Sequence, residues 1–539
     1  MQENIVDAGE GNFSQDPFLS SHLAWEAFRS LASDRKRQTL VDCTAGSSTF
    51  NAGAILVLST LLSDLLRRET SAKRVGIVLP PGIGALVSNL AVTFAGKSPV
   101  NLNFSLGREA LESSIERADI DLILTAEIVK KRLVDFPWTD DILDVGSILK
   151  GFSKFTLAMR SFAFAMMPIS WAASWLGIPR KGGGEEAALL FTSGSSGMPK
   201  GVVLSHRNIL ANCAQIRDTD LFPAGETLLA NLPIFHSFGF TISVWFCLIQ
   251  GVRLVTLPSP LDVKGSLKAI REQEVTTLLG TPTFLRPYLR RAKEGDFDSI
   301  KFVIAGAEKT PEGFSEKWEK EADCVYLEGY GLTETSPVLC VNLPGERDGQ
   351  SLKKTGAVGK LLPGLKARVV DPDSGEVLAP SQTGILHFRG PNVFERYLGE
   401  PEKTAEVLDQ DGWFATGDLG SFDEDGFLRI EGRLSRFSKV GGEMVPHGRV
   451  EEAVIEALGL DNEDQPIVAV AGRADPTKGE ALVLLTTVEI DSNQLSSLLS
   501  EKGLANLWIP KEIKRIDEIP VLSTGKLDLK AISELATSD

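Results

Sequence analysis

The stretch Phe191-Thr-Ser-Gly-Ser-Ser-Gly-Met-Pro-Lys-Gly-Val202 decides how this chain is read. Ala187-Ala-Leu-Leu190 leads into it and Val202-Val-Leu204 leads out, so two apolar runs flank a polar loop. A buried strand is expected to end where the loop starts. The loop holds glycines, hydroxyls and Lys200, with no carboxylate. Backbone N–H groups, hydroxyls and one cation together suit a polyphosphate. It is not a Walker A loop, because Lys200 is followed by Gly201 and not by Ser or Thr. The alternative is a flexible linker, which the flanking apolar runs oppose.

Outward from the loop, the chain alternates apolar runs of strand length with helical periods. Residues 52–68 are apolar at helical spacing. Residues 75–79 read as a strand, Pro80-Pro-Gly82 as a turn into a helix reaching Ala95, and residues 98–102 as the next strand. The rhythm recurs over 189–214, 228–257 and 276–306. It predicts parallel sheets with helices on their faces. After about Gly345, residues 366–371 and 384–389 alternate around Asp373-Ser-Gly375, which predicts a small antiparallel or barrel-like subdomain. Beyond Gly432 a further α/β unit is expected, with strands at 467–471 and 481–488 and a helix over 492–501. Residues 1–20 read as polar and loosely ordered.

With 539 residues the chain exceeds one domain. Apolar residues at 43% and charged residues at 24% fit a globular protein. A net charge of −16 argues against general nucleic-acid binding. Cysteines 43, 213, 247, 324 and 340 form no C-x-x-C pair and the histidines no H-E-x-x-H, so neither a disulfide framework nor a zinc site is expected. The acidic first residues predict no signal peptide and a cytoplasmic setting. Residues 161–178 carry no charge, contain Pro168, Trp171 and Trp175, and are flanked by Lys154, Arg160, Arg180 and Lys181. A membrane-surface contact or portal for an apolar substrate within 155–178, ordinary core and a true span all stay open.

Five further segments stand out, four for their chemistry and one as a junction. Leu232-Pro-Ile-Phe-His-Ser-Phe-Gly-Phe240 sets His236 among aromatics, where a lone histidine is more often a satisfied core residue than a catalyst. Tyr326-Leu-Glu-Gly-Tyr-Gly-Leu-Thr-Glu-Thr-Ser-Pro337 packs carboxylates, threonines and tyrosine between glycines. There Tyr330 could stack on a base, Thr333 bond a phosphate and Glu334 hold Mg²⁺. Gly412-Trp-Phe-Ala-Thr-Gly-Asp-Leu-Gly420 puts Asp418 in a loop, where a carboxylate could accept both hydroxyls of a ribose. Pro520-Val-Leu-Ser-Thr-Gly-Lys526 sets one lysine after a turn, while Gly432-Arg-Leu-Ser-Arg-Phe-Ser-Lys-Val-Gly-Gly-Glu443 reads as a mobile junction.

In this order the segments resemble the adenylate-forming superfamily of acyl-CoA synthetases, luciferases and peptide-synthetase adenylation domains, over about residues 79–529. The resemblance implies ATP and Mg²⁺. It implies a phosphate loop of Thr192, Ser193, Gly194, Ser195, Ser196, Gly197 and Lys200. It implies an adenine pocket of Gly306, Ala307, Glu308 and Tyr330, with Gly331 beside it. Thr333 would touch the α-phosphate and Glu334 the metal. Asp418 would bind the ribose hydroxyls, assisted by Arg433. His236 would border the acyl carboxylate, and Lys526 would bridge carboxylate and phosphate. Lys526, His236, Thr192 and Glu334 form the implied catalytic set. The implied fold is α/β: a large adenylation domain of stacked, mostly parallel sheets with a barrel-like subdomain (1–432), a hinge (433–436) and a small mobile α+β domain (437–539). The family's hinge position usually holds Asp or Lys, and here it falls on Arg436.

Ser435-Arg-Phe-Ser-Lys-Val-Gly-Gly-Glu-Met-Val-Pro-His447 is similar to the synthetase half of the bifunctional 2-acylglycerophosphoethanolamine acyltransferase/acyl-acyl-carrier-protein synthetases. That similarity implies a long-chain fatty acid as substrate and acyl carrier protein as acceptor. The alternative is a long-chain fatty acid–CoA ligase, and a more remote one is a non-catalytic fatty-acid binding protein. An acidic carrier would need a basic patch. Arg286, Arg290, Arg291 and Lys293, or Lys511, Lys514 and Arg515, stand at near-helical spacing for one, or are solvated helix faces.

Overall fold

Short, wholly buried runs such as Thr227–Ala230 and Thr277–Gly280 become the interior strands of the main sheet. The computed structural model describes residues 4–14, 17–44, 46–192, 198–223, 225–347, 349–441, 443–460, 466–475, 479–521 and 527–538. The main sheet has nine strands. Six are parallel neighbours, in the order Val325–Gly331, Phe302–Ala305, Thr277–Gly280, Thr227–Ala230, Arg253–Thr256 and Gln38–Asp42. Antiparallel strands close both sides. A second, four-stranded sheet is parallel throughout, in the order Ser98–Asn101, Arg74–Ile77, Leu122–Thr125 and Asp141–Asp144. Helices Ala52–Glu69 and Ile83–Phe94 pack on each other and bury their apolar positions. The α/β class, with its small C-terminal unit, is the observed one.

Three expectations need correction. The polyphosphate loop does not lie in a parallel unit: Glu186–Thr192 and Lys200–Ser205 form an antiparallel hairpin, joined at its edge by Arg396–Tyr397. Seven residues separate those strands, too few for the crossover a parallel pair requires. Residues 4–14 and 17–20, the described part of the first twenty, are not loose. Val6–Asp7 pairs antiparallel with Lys366–Val370, and Phe13 and Phe18 are buried. Glu512–Arg515, with Lys514 and Arg515, is a strand and not a helix. The Lys514 ammonium reaches the carbonyls of Leu535, Ala536 and Ser538 at the end of helix Leu529–Thr537, where a cation complements the helix dipole.

Val6–Asp7, Lys366–Val370, Gly384–Arg389, Phe414–Phe422 and Leu428–Arg433 form an all-antiparallel five-stranded sheet, the expected subdomain. After Leu434–Arg436, a separate sheet is built from Phe437–Val440, Glu443–Pro446, Val468–Asp475, Gly479–Thr486 and Glu512–Arg515. Its two apolar clusters share no residue with the clusters that precede it. Two ion pairs that join the halves, Lys309–Glu452 at 2.9 Å and Lys439–Asp373 at 2.8 Å, are solvent-exposed. Such pairs contribute little.

Residues 161–178 form no span. Pro168 divides the stretch into helices Lys154–Met166 and Ile169–Trp175. No helix among the described residues is long and apolar enough to cross a membrane.

Candidate active site

The carboxyl ends of the parallel strands converge on one edge of the main sheet. His236 follows Thr227–Ala230, Gly306–Ala307–Glu308 follow Phe302–Ala305, and Thr333 and Glu334 follow Val325–Gly331. Ligands of open α/β sheets bind at such edges. Ser237 Oγ and Thr333 Oγ1 stand 3.4 Å apart, which joins two of these loops. Gly306 N–H donates to the Gly280 carbonyl at 3.2 Å. Ala307 adopts φ +66°, a left-handed conformation uncommon outside glycine. The Glu308 carboxylate accepts from the Thr283 N–H at 3.2 Å, at the start of helix Pro282–Arg291, where the helix dipole favours an anion. His236 is exposed, its ring 4.8 Å from that of Phe235. Its carbonyl accepts from Phe240 N–H at 2.8 Å, within the π-helical run Phe238–Phe246.

Two carboxylate–phenol pairs dominate the site. Tyr330 Oη donates to Asp418 Oδ2 at 2.5 Å, and Arg433 Nε lies 3.1 Å from Asp418 Oδ1. Antiparallel pairing of Phe414–Phe422 with Leu428–Arg433 sets Asp418 directly opposite Arg433. Burial, then the Asp418 charge, pushes the Tyr330 phenol well above its usual range, so it stays a proton donor. In the second pair, Tyr397 Oη donates to Glu334 Oε1 at 2.8 Å, and the Glu334 carbonyl accepts from Phe394 N–H at 2.7 Å. Burial, followed by the Glu334 charge, raises the Tyr397 phenol too. Lys200 Nζ sits 5.0 Å from the Tyr397 ring centroid, a cation–π distance. Thr192 and Lys200 are cross-strand partners at the root of the hairpin.

Gly331 permits the close path of this edge: a Cβ there would stand 1.8 Å from the Pro337 carbonyl oxygen. Tyr330, Thr333, Glu334, Asp418, Arg433 and Lys200 are therefore linked through contacts across three sheets. Ser193–Gly197 and Lys526 lie outside the described residues. Tyr397 was missed in the sequence. Its one available signal is rarity, since the chain has four tyrosines and two of them serve these carboxylates.

Arg436 is held by the C-terminal unit. Its guanidinium pairs with Glu451 at 2.5 Å and donates to the Val470 carbonyl at 3.3 Å, within the C-terminal unit. Glu451 accepts in turn from Val470 N–H at 2.7 Å.

Residues 58–398 match the AMP-binding enzyme family, most of the chain and most of this site. The chain belongs to the AMP-binding enzymes. This AMP-binding enzyme is 29% identical over 524 residues to the long-chain-fatty-acid–CoA ligase of Bacillus subtilis, covering 90% of this chain and 91% of that one. It is 32% identical over 348 residues to the ligase of the same name from Salmonella typhimurium, covering 63% of this chain and 60% of that protein. Among solved structures, ATP-bound MatB from Rhodopseudomonas palustris superposes with a TM-score of 0.77 at 26% identity, over 95% of this chain and 98% of that one.

Proposed function

We propose that this AMP-binding enzyme joins a long-chain fatty acid to ATP as an acyl-adenylate, releasing pyrophosphate, and then passes the acyl group to the thiol of coenzyme A, releasing AMP. The observation that carries this reading is the pair of phenol-held carboxylates beside the phosphate hairpin. A long-chain-fatty-acid–CoA ligase that matches nearly end to end supports the substrate and acceptor.

The donor set fits ATP and Mg²⁺. Asp418 is buried, accepts from the Tyr330 hydroxyl and pairs with Arg433, and its carboxylate is an acceptor-only group of the kind that two ribose hydroxyls would donate to. Glu334 Oε1 is held by Tyr397, and its carboxylate is the hard oxygen ligand Mg²⁺ takes. Mg²⁺ is commonly held by one or two carboxylates plus substrate phosphates, and Glu334 would be the carboxylate here. When bound, Mg²⁺ supplies neutralisation of phosphoryl charge. Thr192, Lys200 and residues 193–197 would receive the β- and γ-phosphates. Gly306, Ala307, Glu308, Tyr330 and Gly331 would border the adenine. Thr333 would donate to the α-phosphate and His236 would flank the fatty carboxylate. Lys526 would stabilise the charge that builds as carboxylate meets phosphate.

The division into 1–432, a hinge at 433–436 and 437–539 is supported by the separate apolar clusters and the exposed ion pairs between halves. A C-terminal unit held so lightly is free to turn between the two half-reactions. A second acceptor, the phosphopantetheine thiol of acyl carrier protein, draws its support from the Ser435–His447 similarity.

The test is fatty-acid-dependent ATP–pyrophosphate exchange, with thioester formation measured on CoA and on holo carrier protein. Lys526→Ala should lower exchange by ~10²–10³. Exchange at the wild-type rate would remove Lys526 from the reaction, and faster acylation of the carrier protein would replace CoA as acceptor.

A further inference from the structure

We propose that the outer face of the helix pair Lys154–Met166 and Ile169–Trp175 docks onto an anionic lipid bilayer and lies in its interface. Phe155, Met159, Phe162 and Met166 recur at steps of four, three and four residues, so they form one stripe along the first helix. Trp171 and Trp175, one turn apart, continue it on the second. All six side chains are more than half exposed. Apolar surface of that extent, contiguous in sequence and confined to one helix pair, marks a contact site.

The opposite face is committed to the protein. Phe164, Ala172, Ala173 and Leu176 are buried, and Arg160 bonds Asp64 of helix Ala52–Glu69 at 2.6 Å. The stripe therefore cannot roll inward.

Charge selects the occupant. Residues 145–184 contain exposed Lys150, Lys154, Arg180 and Lys181 and no acidic residue, Arg160 being paired with Asp64, in a chain with 72 acidic residues among 539 and a net charge of −16. A basic rim around an apolar stripe complements anionic headgroups. Tryptophans favour the headgroup level of a bilayer. A second copy of this chain, docked face to face, would set the same cations against each other. The helices have 13 and 7 residues, short of the roughly 20 that a span needs, so the contact is peripheral.

Docking is read by cosedimentation with vesicles of phosphatidylcholine, with and without phosphatidylglycerol. It is a binding measurement and stands apart from the reaction proposed above. Wild type should bind the phosphatidylglycerol vesicles, and less so as salt rises. Brominated lipid should quench part of its tryptophan fluorescence. Phe155→Ser/Phe162→Ser/Trp171→Ser should reduce binding roughly tenfold or more, as should Lys150→Glu/Lys154→Glu. The second variant changes only exposed lysines and reports even if the first unfolds. Absence of wild-type binding, or equal binding by the charge variant, overturns the proposal. So does a lipid-free dimer that the serine variant dissolves.

Discussion

Tyr397 illustrates what a single hydroxyl does at this site. Its ring faces Lys200 while its hydroxyl holds Glu334. Tyr397→Phe keeps the first contact and deletes the second. A hydrogen bond to a charged group is worth about 1.5–3 kcal/mol, so half-saturation with Mg·ATP should rise roughly tenfold, with less effect on fatty-acid affinity. Steady-state kinetics with both substrates varied would show it, and an unchanged Mg·ATP requirement would dismiss the role. No local pattern points to Tyr397, because its partner is 63 residues away and only the fold brings them together. Tyr330, Thr333, Glu334 and Asp418 were legible because glycine-rich, carboxylate-bearing loops advertise their chemistry locally. Arg436 is a different case. Arg436→Ala would leave Glu451, already shifted upward by burial, without its cation. The C-terminal unit should lose about 3 kcal/mol of stability, measurable by urea unfolding. Unaltered unfolding would show the pair to be idle.

At the scale of elements, the turn from Val325–Gly331 into Val338–Val341 has no room for a side chain at Gly331. Gly331→Ala drives a methyl into the Pro337 carbonyl. It should cost roughly 2–4 kcal/mol and distort the Thr333–Glu334 loop, seen as a lowered melting temperature together with lost exchange activity. A variant with native melting and native activity would mean that the backbone yields cheaply. Helices such as Ala52–Glu69 were legible because their apolar period is long and unbroken. The hairpin Glu186–Thr192/Lys200–Ser205 was misread because buried strands look alike in either sheet type, though the length of the connecting loop already excluded a parallel pair. Glu512–Arg515 was misread because three cations in five residues fit a helix face as well as a strand. The choice is made by pairing with Gly479–Thr486, a long-range contact.

For the molecule as a whole, acid is the predicted weakness. Burial holds His22 and His387 down to about 4, His447 to about 3 and His206 to about 2, from an ordinary 6.5. His22 and His206 stack at 3.6 Å, and their Nδ1 atoms accept the backbone N–H groups of Ala24 and Leu23, which only neutral rings can do. Above pH 6.5 these rings are neutral in both folded and unfolded chains and the stabilisation is fully present. As pH falls from 6.5 toward 4, only the unfolded chain takes up protons. Stability should then drop by about 1.4 kcal/mol per pH unit for each such histidine. Thermal melts between pH 7.5 and 4.5 would read this, and a flat midpoint from 6.5 to 5 would contradict it. Finally, Val6–Asp7 lies along the outer side of Lys366–Val370. Clipped away by a protease, it would leave the main chain at Lys366 and Ala367 open for another molecule's strand to join. Two residues near the start of the chain thus act as a guard against edge-to-edge aggregation of a protein more than five hundred residues long.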